Sequence, residues 1–499
     1  MRPRPEPPGP GQESDSREGA QAVVVMLVGR MVLQATGLLT VLLLPHVMPT
    51  TEYGRLSTIV SMLALGGALV ELGTGWLEMR FLAPAWRGGD TATALRIGST
   101  TLFLRLALDV VVSLVLTLII VFASNLDVGS RDALWLGLWI FCRFGITLVA
   151  LFHTSLGNRA TYVILENTRG LTYLLAVLLG YALNGLSGVF MLLGIIQLAC
   201  FLVAITHLKR QFPFRLRLFR GGFLREHRHF VAWTAVAAIV SASFLWLPVV
   251  IVGNYHDLAQ AAVLATAILI LGMLHAFTSN MRQAILPIVA TAIRAGDTAG
   301  SLAWMGIIAR MVTVLSVIAL LGWLLVGEWL VAVLWPADYA ALYPALGMVL
   351  VTFALINIAA CYDSMLNLLG HAARSALNLA LSAAIVVAGA AVVVAGQMAN
   401  AALLVCGAYA LAAFVLALVS HLTLRALYQV TIVAAVVPLL LLCLGGFGVL
   451  LASGHDVSVL WKLALSLACI LLMIVSGFLQ WEDCRRLLAA MPRRVSARR

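Results

Sequence analysis

Three arginines stand alone inside apolar stretches of this chain. Arg30, Arg143 and Arg310 have no acidic residue three or four positions away, so none can pair with a carboxylate on its own helix. A guanidinium group forms paired, charge-assisted hydrogen bonds with phosphate oxygens, so a cavity lined by all three would suit a diphosphate. We predict them as substrate-binding residues. The other interpretation, salt bridges to acids on neighbouring helices, stays open.

A second group of charges in apolar stretches is acidic. Glu71 and Glu78 are seven residues apart and share one helix face, where they are predicted to couple transport to an ion or to form salt bridges. Glu71 is expected either to pair with Arg30 or to carry the coupling proton. Asp363 is predicted to hold a proton or a sodium ion, or to pair with Arg310.

The remaining candidate is a pair of opposite charges. Arg105 and Asp109 are four residues apart in another apolar stretch. Residues at this spacing are neighbours on a helix surface, and opposite charges there attract. The sequence therefore predicts an ion pair within one helix, with a structural role.

The elements that carry these residues are predicted to be membrane-spanning helices. The chain has 499 residues, of which 62% are hydrophobic and 11% charged, whereas a soluble protein carries roughly 25% charged residues. Apolar runs of about 20 residues, enough to cross a bilayer core, recur along the chain. We predict an all-α polytopic membrane protein with about 14 transmembrane helices.

The arrangement of the spans predicts two lobes. A span, a short loop and a second span at residues 22–84 return as the same plan near residues 230–287, as in transporters built from internal repeats. The predicted parts are a disordered cytoplasmic tail (1–19), an N-terminal six-helix lobe (20–208), a basic cytoplasmic linker (209–229), a C-terminal six-helix lobe (230–425), an extra helix pair (426–481) and a basic cytoplasmic tail (482–499).

Basic residues predict the orientation. They concentrate in alternate loops, which places both termini in the cytoplasm by the positive-inside rule. The same rule explains the net charge of +11 without a nucleic acid partner.

The linker at residues 209–229 holds seven basic residues and one acid with interleaved Phe and Leu. It is either an amphipathic segment on the anionic inner leaflet or a plain linker.

Motifs of enzymes and metal sites are missing from the sequence. The seven cysteines form no CxxC pair, and no HExxH, GxSxG or Walker motif occurs. We therefore predict a protein that is not an enzyme, with no cofactor and no metal site. Without a nucleotide site, its energy would come from an H⁺ or Na⁺ gradient, the membrane potential or the gradient of the substrate.

Several motifs resemble the oligosaccharide flippase (polysaccharide transporter) family of the multidrug/oligosaccharidyl-lipid/polysaccharide superfamily. They are the Glu-Tyr-Gly loop at residues 52–54, the acid-Leu-Gly turn at residues 71–73, Arg80, LWPADYAALYPALGMVL and SMLNLLGHAARSALNL. The resemblance covers roughly residues 20–425. The chain departs from the family in span 7, SASFLWLPVVIV, where members often carry an acid.

The resemblance implies a flippase of the cytoplasmic (inner) membrane. Its substrate would be a polyprenyl-diphosphate-linked oligosaccharide for cell-surface polysaccharide or lipopolysaccharide synthesis, moved by alternating access. Expected partners are this lipid-linked oligosaccharide, membrane lipids, and a polysaccharide polymerase with other assembly proteins. One alternative is a cation-coupled multidrug exporter of the same superfamily. An integral membrane polymerase or ligase is disfavoured, because no large outside loop exists to carry catalytic residues.

Overall fold

The computed structural model describes residues 10–428 apart from residues 220 and 295. Every regular element in this part of the chain is helical. The α-helices are α1 (Pro10–Val47), α2 (Thr50–Glu71), α3 (Thr74–Leu77), α4 (Ala83–Arg87), α5 (Thr91–Leu118), α6 (Ala133–Ser155), α7 (Arg159–Gln211), α8 (Gly221–Glu226), α9 (Arg228–Tyr255), α10 (Leu258–Arg294), α11 (Thr298–Leu334), α12 (Leu342–Leu368), α13 (Ala372–Ala395) and α14 (Ala401–Tyr428).

Most of these helices can span a membrane. Eleven stretches of the described residues are long and apolar enough to do so, and one of them, α7, has 53 residues. About 20 residues suffice for one crossing, so α7 is long enough for two. The predicted all-α polytopic fold is confirmed. The last two predicted spans and the tail at 482–499 lie outside the described residues.

α7 consists of two helices joined by a reversal of the chain. Asn184 and Gly185 have φ/ψ angles of −155°/39° and 57°/−145°, which are not helical. At the two ends of α7, the Asn158 side-chain amide donates to Gln211 Oε1 at 3.3 Å. A straight helix of this length would separate those ends by about 80 Å. The two halves of α7 therefore form a hairpin and supply two of the predicted spans.

Polar side chains begin three of the long helices. Asp90, Asn158 and Asp297 each accept a hydrogen bond from the backbone N–H three residues later, at 3.1, 3.2 and 2.8 Å. Such caps satisfy N–H groups that have no partner within the helix. Hydrogen bonds from the side chain and backbone of Thr93 also lower the pKa of Asp90, which lies just before the span.

α1 begins earlier than the sequence predicted. It starts at Pro10, inside the segment that is predicted to be a disordered cytoplasmic tail, so residues 10–19 are helical in the structure. The segment contains Gln, Glu and Arg, which are good helix formers. Extending an existing helix is much easier than nucleating one, so the helix of the first span continues toward the N-terminus.

The helices belong to two compact units, Met1–Ala262 and Val263–Arg499. α9, which follows the basic linker, packs against α2 in the first unit. The predicted pair of six-helix lobes and the internal repeat stay predictions.

In the first unit, α9 makes close contacts with α2 and with the break between α2 and α3. A Cβ added to Gly253 would lie 2.0 Å from Thr58 Oγ1. Gly73 has a φ of 65°, and a Cβ there would lie 2.2 Å from Thr234 Oγ1. A side chain at either glycine would force the helices apart.

The basic linker is anchored to the first unit by Phe212. This side chain is buried, and its ring centroid lies 5.0 Å from that of Phe152 and 5.4 Å from that of Trp86. Arg215 and Arg217 are exposed. Phe212 is thus turned inward while these two arginines are turned outward, and the contact of the segment with the anionic leaflet stays a prediction.

The second unit is built around α12, which packs against α11, α13 and α14. Polar groups join α12 to its neighbours. Ser420 Oγ donates to Asp363 Oδ1 at 2.9 Å, and Asn378 Nδ2 lies 3.2 Å from the same Ser420 oxygen. The Tyr362 hydroxyl lies 2.9 Å from His421 Nδ1. Asp363 is thus held by a serine hydroxyl within the second unit.

The hairpin in α7 depends on two glycines that face each other. A Cβ at Gly180 would lie 2.6 Å from the Gly188 carbonyl oxygen. We expect Gly180→Val to lower the stability of the protein by about 1–3 kcal/mol, because backbone atoms cannot move aside. Thermal unfolding in detergent micelles would measure the loss. The control is Gly322→Val, where no described atom lies within 4 Å; equal losses in the two variants would contradict the prediction.

Candidate functional site

The candidate site lies in the first unit, where α2 is interrupted. α2 ends at Glu71, and the next two residues, Leu72 and Gly73, adopt left-handed φ angles of 41° and 65°. The helix resumes as α3 and then makes a π-helical turn at Glu78–Leu82. Glycine is the usual residue for this conformation, whereas a side chain there costs about 1–2 kcal/mol. Surrounding contacts must therefore stabilise the break.

Arg105 of α5 provides those contacts. One terminal nitrogen lies 3.4 and 3.5 Å from the two carboxylate oxygens of Glu78, and the other lies 3.9 Å from Glu71 Oε1. Nε donates to the hydroxyl of Thr74, which itself donates to the Glu71 carbonyl oxygen at 2.6 Å. One guanidinium group thus binds residues on both sides of the break.

The predicted pair of Arg105 and Asp109 is wrong. Arg105 turns to Glu71 and Glu78 instead, and Asp109 accepts a hydrogen bond from Ser113 Oγ at 3.0 Å. The physical reason is that the two arrangements contribute differently to the free energy of folding. A pair within one helix contributes only a few tenths of a kcal/mol, whereas the fully buried Glu78 carboxylate needs a cation from another helix.

A cavity of about 430 Å³ adjoins this cluster, between α2, α5, α6, α7 and α9. Its walls combine apolar side chains with a few polar ones. The lining residues are Leu63, Ala64, Gly67, Ala68, Val70, Glu71, Arg105, Arg143, Phe144, Thr147, Leu148, Leu151, Arg169, Ala238, Ser241, Ala242, Leu245 and Trp246. The lining itself carries three arginines and one glutamate.

Two of these arginines have carboxylate partners. Arg105 is paired with Glu71 and Glu78, and Arg169 lies 2.5 Å from a Glu166 carboxylate oxygen. Arg143 differs from both. Among the described residues, no carboxylate lies within 4.0 Å of its guanidinium group and its side chain forms no hydrogen bond. Arg143 therefore gives the cavity a positive charge that no carboxylate among the described residues pairs with directly.

The other predicted site residues lie elsewhere. Arg30 is half-buried on α1, near Tyr162 of α7, and is not among the described residues that line this cavity. Arg310 is half-buried on α11 in the second unit, and Asp363 lies there on α12. The cavity lining thus contains Glu71, Arg105 and Arg143 from the predicted set, and the buried Glu78 contacts Arg105.

Sequence reasoning missed Arg169 as a cavity residue. The structure places it inside α7, three residues after its partner Glu166. An acid and a base at this spacing, followed by a long apolar run, could have indicated an ion pair already within the helix.

Comparison with known proteins identifies the fold. No family model and no curated protein matches the chain, but solved structures do. An inward-facing multidrug resistance MATE family transporter of the MOP superfamily aligns with a TM-score of 0.63 and 14% identity, over 81% of this chain and 99% of the transporter. Lipid II flippase MurJ, in an inward closed conformation, aligns with a TM-score of 0.63 and 10% identity, over 94% of this chain and 100% of MurJ. The chain has the fold of MOP superfamily transporters.

A third structure with this MOP fold is of interest because of its pocket. It is a MOP superfamily transporter from Pyrococcus furiosus whose binding pocket is described as having reverse polarity, suggesting a different function. It aligns with a TM-score of 0.53 and 14% identity, over 82% of this chain and 95% of that one. At these identities the comparisons establish the fold alone.

The two acids around Arg105 should contribute unequally to stability. We expect Glu78→Gln to cost about 3 kcal/mol, because it removes the nearer partner of a buried charge. Glu71 is 39% exposed and farther from the arginine, so Glu71→Gln should cost less than about 1 kcal/mol. Denaturant unfolding of the micellar protein, followed by tryptophan fluorescence, would compare the two. A larger loss for Glu71→Gln would show that the assignment of partners is wrong.

Proposed function

We propose that this protein is a flippase that moves a polyprenyl-diphosphate-linked oligosaccharide across the cytoplasmic membrane by alternating access. The observation that carries the proposal is the guanidinium group of Arg143 in the wall of the cavity, which no carboxylate among the described residues pairs with directly. A buried cation without a counter-ion is unfavourable, so a cavity that keeps one is suited to an anionic ligand.

In the proposed mechanism, Arg143 binds the diphosphate. The planar guanidinium can donate two parallel hydrogen bonds to phosphate oxygens. Arg169, which lines the same cavity, can strengthen the positive field around the anion. Ser241 and Trp246 of α9 offer a hydroxyl and an aromatic surface to the sugars, and the prenyl chain stays in the bilayer.

The proposal also covers the energy source, the orientation in the membrane and the partners of the protein. Coupling to H⁺ or Na⁺ would fall to Asp363, which is held by Ser420 in the second unit. Arg30 and Arg310 stay candidates for contacts with the anionic ligand at other stages of transport. The orientation with both termini in the cytoplasm follows from the positive-inside rule, and a polysaccharide polymerase remains an expected partner.

The second candidate is a cation-coupled multidrug exporter. It is favoured by the MATE-like fold and by Glu71, a carboxylate in the lining of the cavity. Against it, the lining has three arginines to one glutamate, and cationic drugs would be repelled by Arg143. We therefore rank the flippase first.

Arg143 should decide between these functions. In proteoliposomes, we expect the wild-type protein to translocate a fluorescent polyprenyl-diphosphate oligosaccharide, measured by protection from a membrane-impermeant quencher. Arg143→Gln should reduce the rate at least about tenfold, because one charge-assisted contact to phosphate contributes about 1.5–3 kcal/mol. Arg143→Lys should be intermediate, since it keeps the charge but loses the planar fork.

The matched control is Arg131→Gln, which removes an exposed arginine from the turn at Ser130–Asp132. It should leave transport unchanged, and size-exclusion profiles should show that all variants are folded. A different result would favour the exporter. In that case the wild type would export a cationic dye without translocating the lipid, and Arg143→Gln would leave the efflux unchanged or increase it.

A further inference from the structure

Arg105 lines the cavity, and one of its terminal nitrogens has no hydrogen-bond partner among the described residues. The side chain is 1% exposed and two of its nitrogens bind Glu78 and Thr74, but Nη2 is buried and forms no hydrogen bond among the described residues. A buried donor left unpaired is unfavourable by roughly 1–3 kcal/mol. Such a donor in the wall of a cavity points to a ligand with an acceptor oxygen.

Glu71 occupies the position nearest to this unpaired nitrogen. Its Oε1 atom lies 3.9 Å from Nη2, which is too far for a hydrogen bond but close enough for attraction. Its side chain is 39% exposed and lines the cavity. The Glu71 carboxylate is therefore a weakly held anion at the position where a ligand phosphate could bind Arg105 more strongly.

Glu71 lies where the regular helix is interrupted. It is the last residue of α2, directly before the left-handed Leu72 and Gly73. Gly75 provides space beside the pair, because a Cβ there would lie 2.9 Å from Glu71 Oε1 and 3.3 Å from Arg105 Nη2. Arg105 does not depend on Glu71 for its position, since Glu78 and Thr74 also bind it.

We propose that Glu71 is a built-in competitor for the anion site, so that substrate phosphate displaces it from Arg105 Nη2 on binding and its return promotes release. This inference rests on the proposed function, because it assigns Arg105 and Glu71 as further contacts of the same anionic ligand. Arg143 attracts the anion, and Arg105 supplies a second donor once Glu71 has moved aside.

Competition of this kind weakens binding and accelerates release. A carboxylate that occupies the donor in the empty state must be displaced by the ligand, so removing it raises the affinity for the ligand by the same coupling factor. Transport needs release as well as binding. A protein without the competitor should therefore hold its substrate longer and turn over more slowly.

The test uses the purified full-length protein in nanodiscs and a polyprenyl diphosphate as probe, with the matching polyprenol as the uncharged reference. Glu71→Gln should bind the diphosphate about tenfold more tightly than wild type, within the range of five- to 150-fold typical of coupled sites. Dissociation should slow by a similar factor, and polyprenol binding should be unchanged. The matched control is Asp127→Asn, which neutralises an exposed carboxylate paired with Arg55 at 4.0 Å and should bind as wild type does.

The outcomes separate this inference from the proposed function. If wild type binds the diphosphate in preference to polyprenol but Glu71→Gln binds equally or more weakly, Glu71 is not a competitor and the flippase proposal stands. If neither protein prefers the diphosphate, the proposed function itself fails. An equal gain in Asp127→Asn would mean that general charge, rather than contact with Arg105, sets the affinity, and would also overturn the inference.

Discussion

The first unit is organised by the need to compensate one buried arginine. Arg105 is enclosed among helices, and a charge in such surroundings is tolerated only with partners. Its partners Glu71, Thr74 and Glu78 lie on both sides of the break at Leu72 and Gly73, so the same contacts that neutralise the guanidinium also fix that break. The shape of the cavity wall follows, because Glu71 and Arg105 both contribute to the lining.

The cavity itself combines two kinds of arginine. Arg105 and Arg169 are each held in place by a carboxylate. Arg143 is held by none among the described residues and is the group with most to gain from an anion. As a site for an anion, this arrangement would have fixed donors beside one strongly attracting positive charge. A binding site of that kind can be both pre-organised and reversible.

The apolar runs were sufficient to predict the spans, because each helix must satisfy its backbone hydrogen bonds internally and present apolar side chains to lipid. The break after Glu71 is encoded in the sequence ELGTG, whose two glycines favour non-helical backbone. What could not be predicted was the pairing of charges across helices. From the sequence alone, Arg105 could pair either with Asp109 on its own helix or with Glu78 on a neighbouring one. Only three-dimensional packing decides between these two pairings. Arg169 was missed for a related reason, because a charge near a helix end resembles a loop residue until its depth is known.

The partnership of Glu78 with Arg105 has a consequence for biogenesis. The acid lies in the π-helical turn that follows α2 and the base lies on α5, so the ribosome delivers the acid first and the base shortly after it. Each alone would make membrane insertion less favourable by about 2.5–3.5 kcal/mol at the centre of a helix. The segment that ends in α4 is therefore a poor substrate for insertion until α5 emerges, and the two are best regarded as a single unit of integration into the membrane.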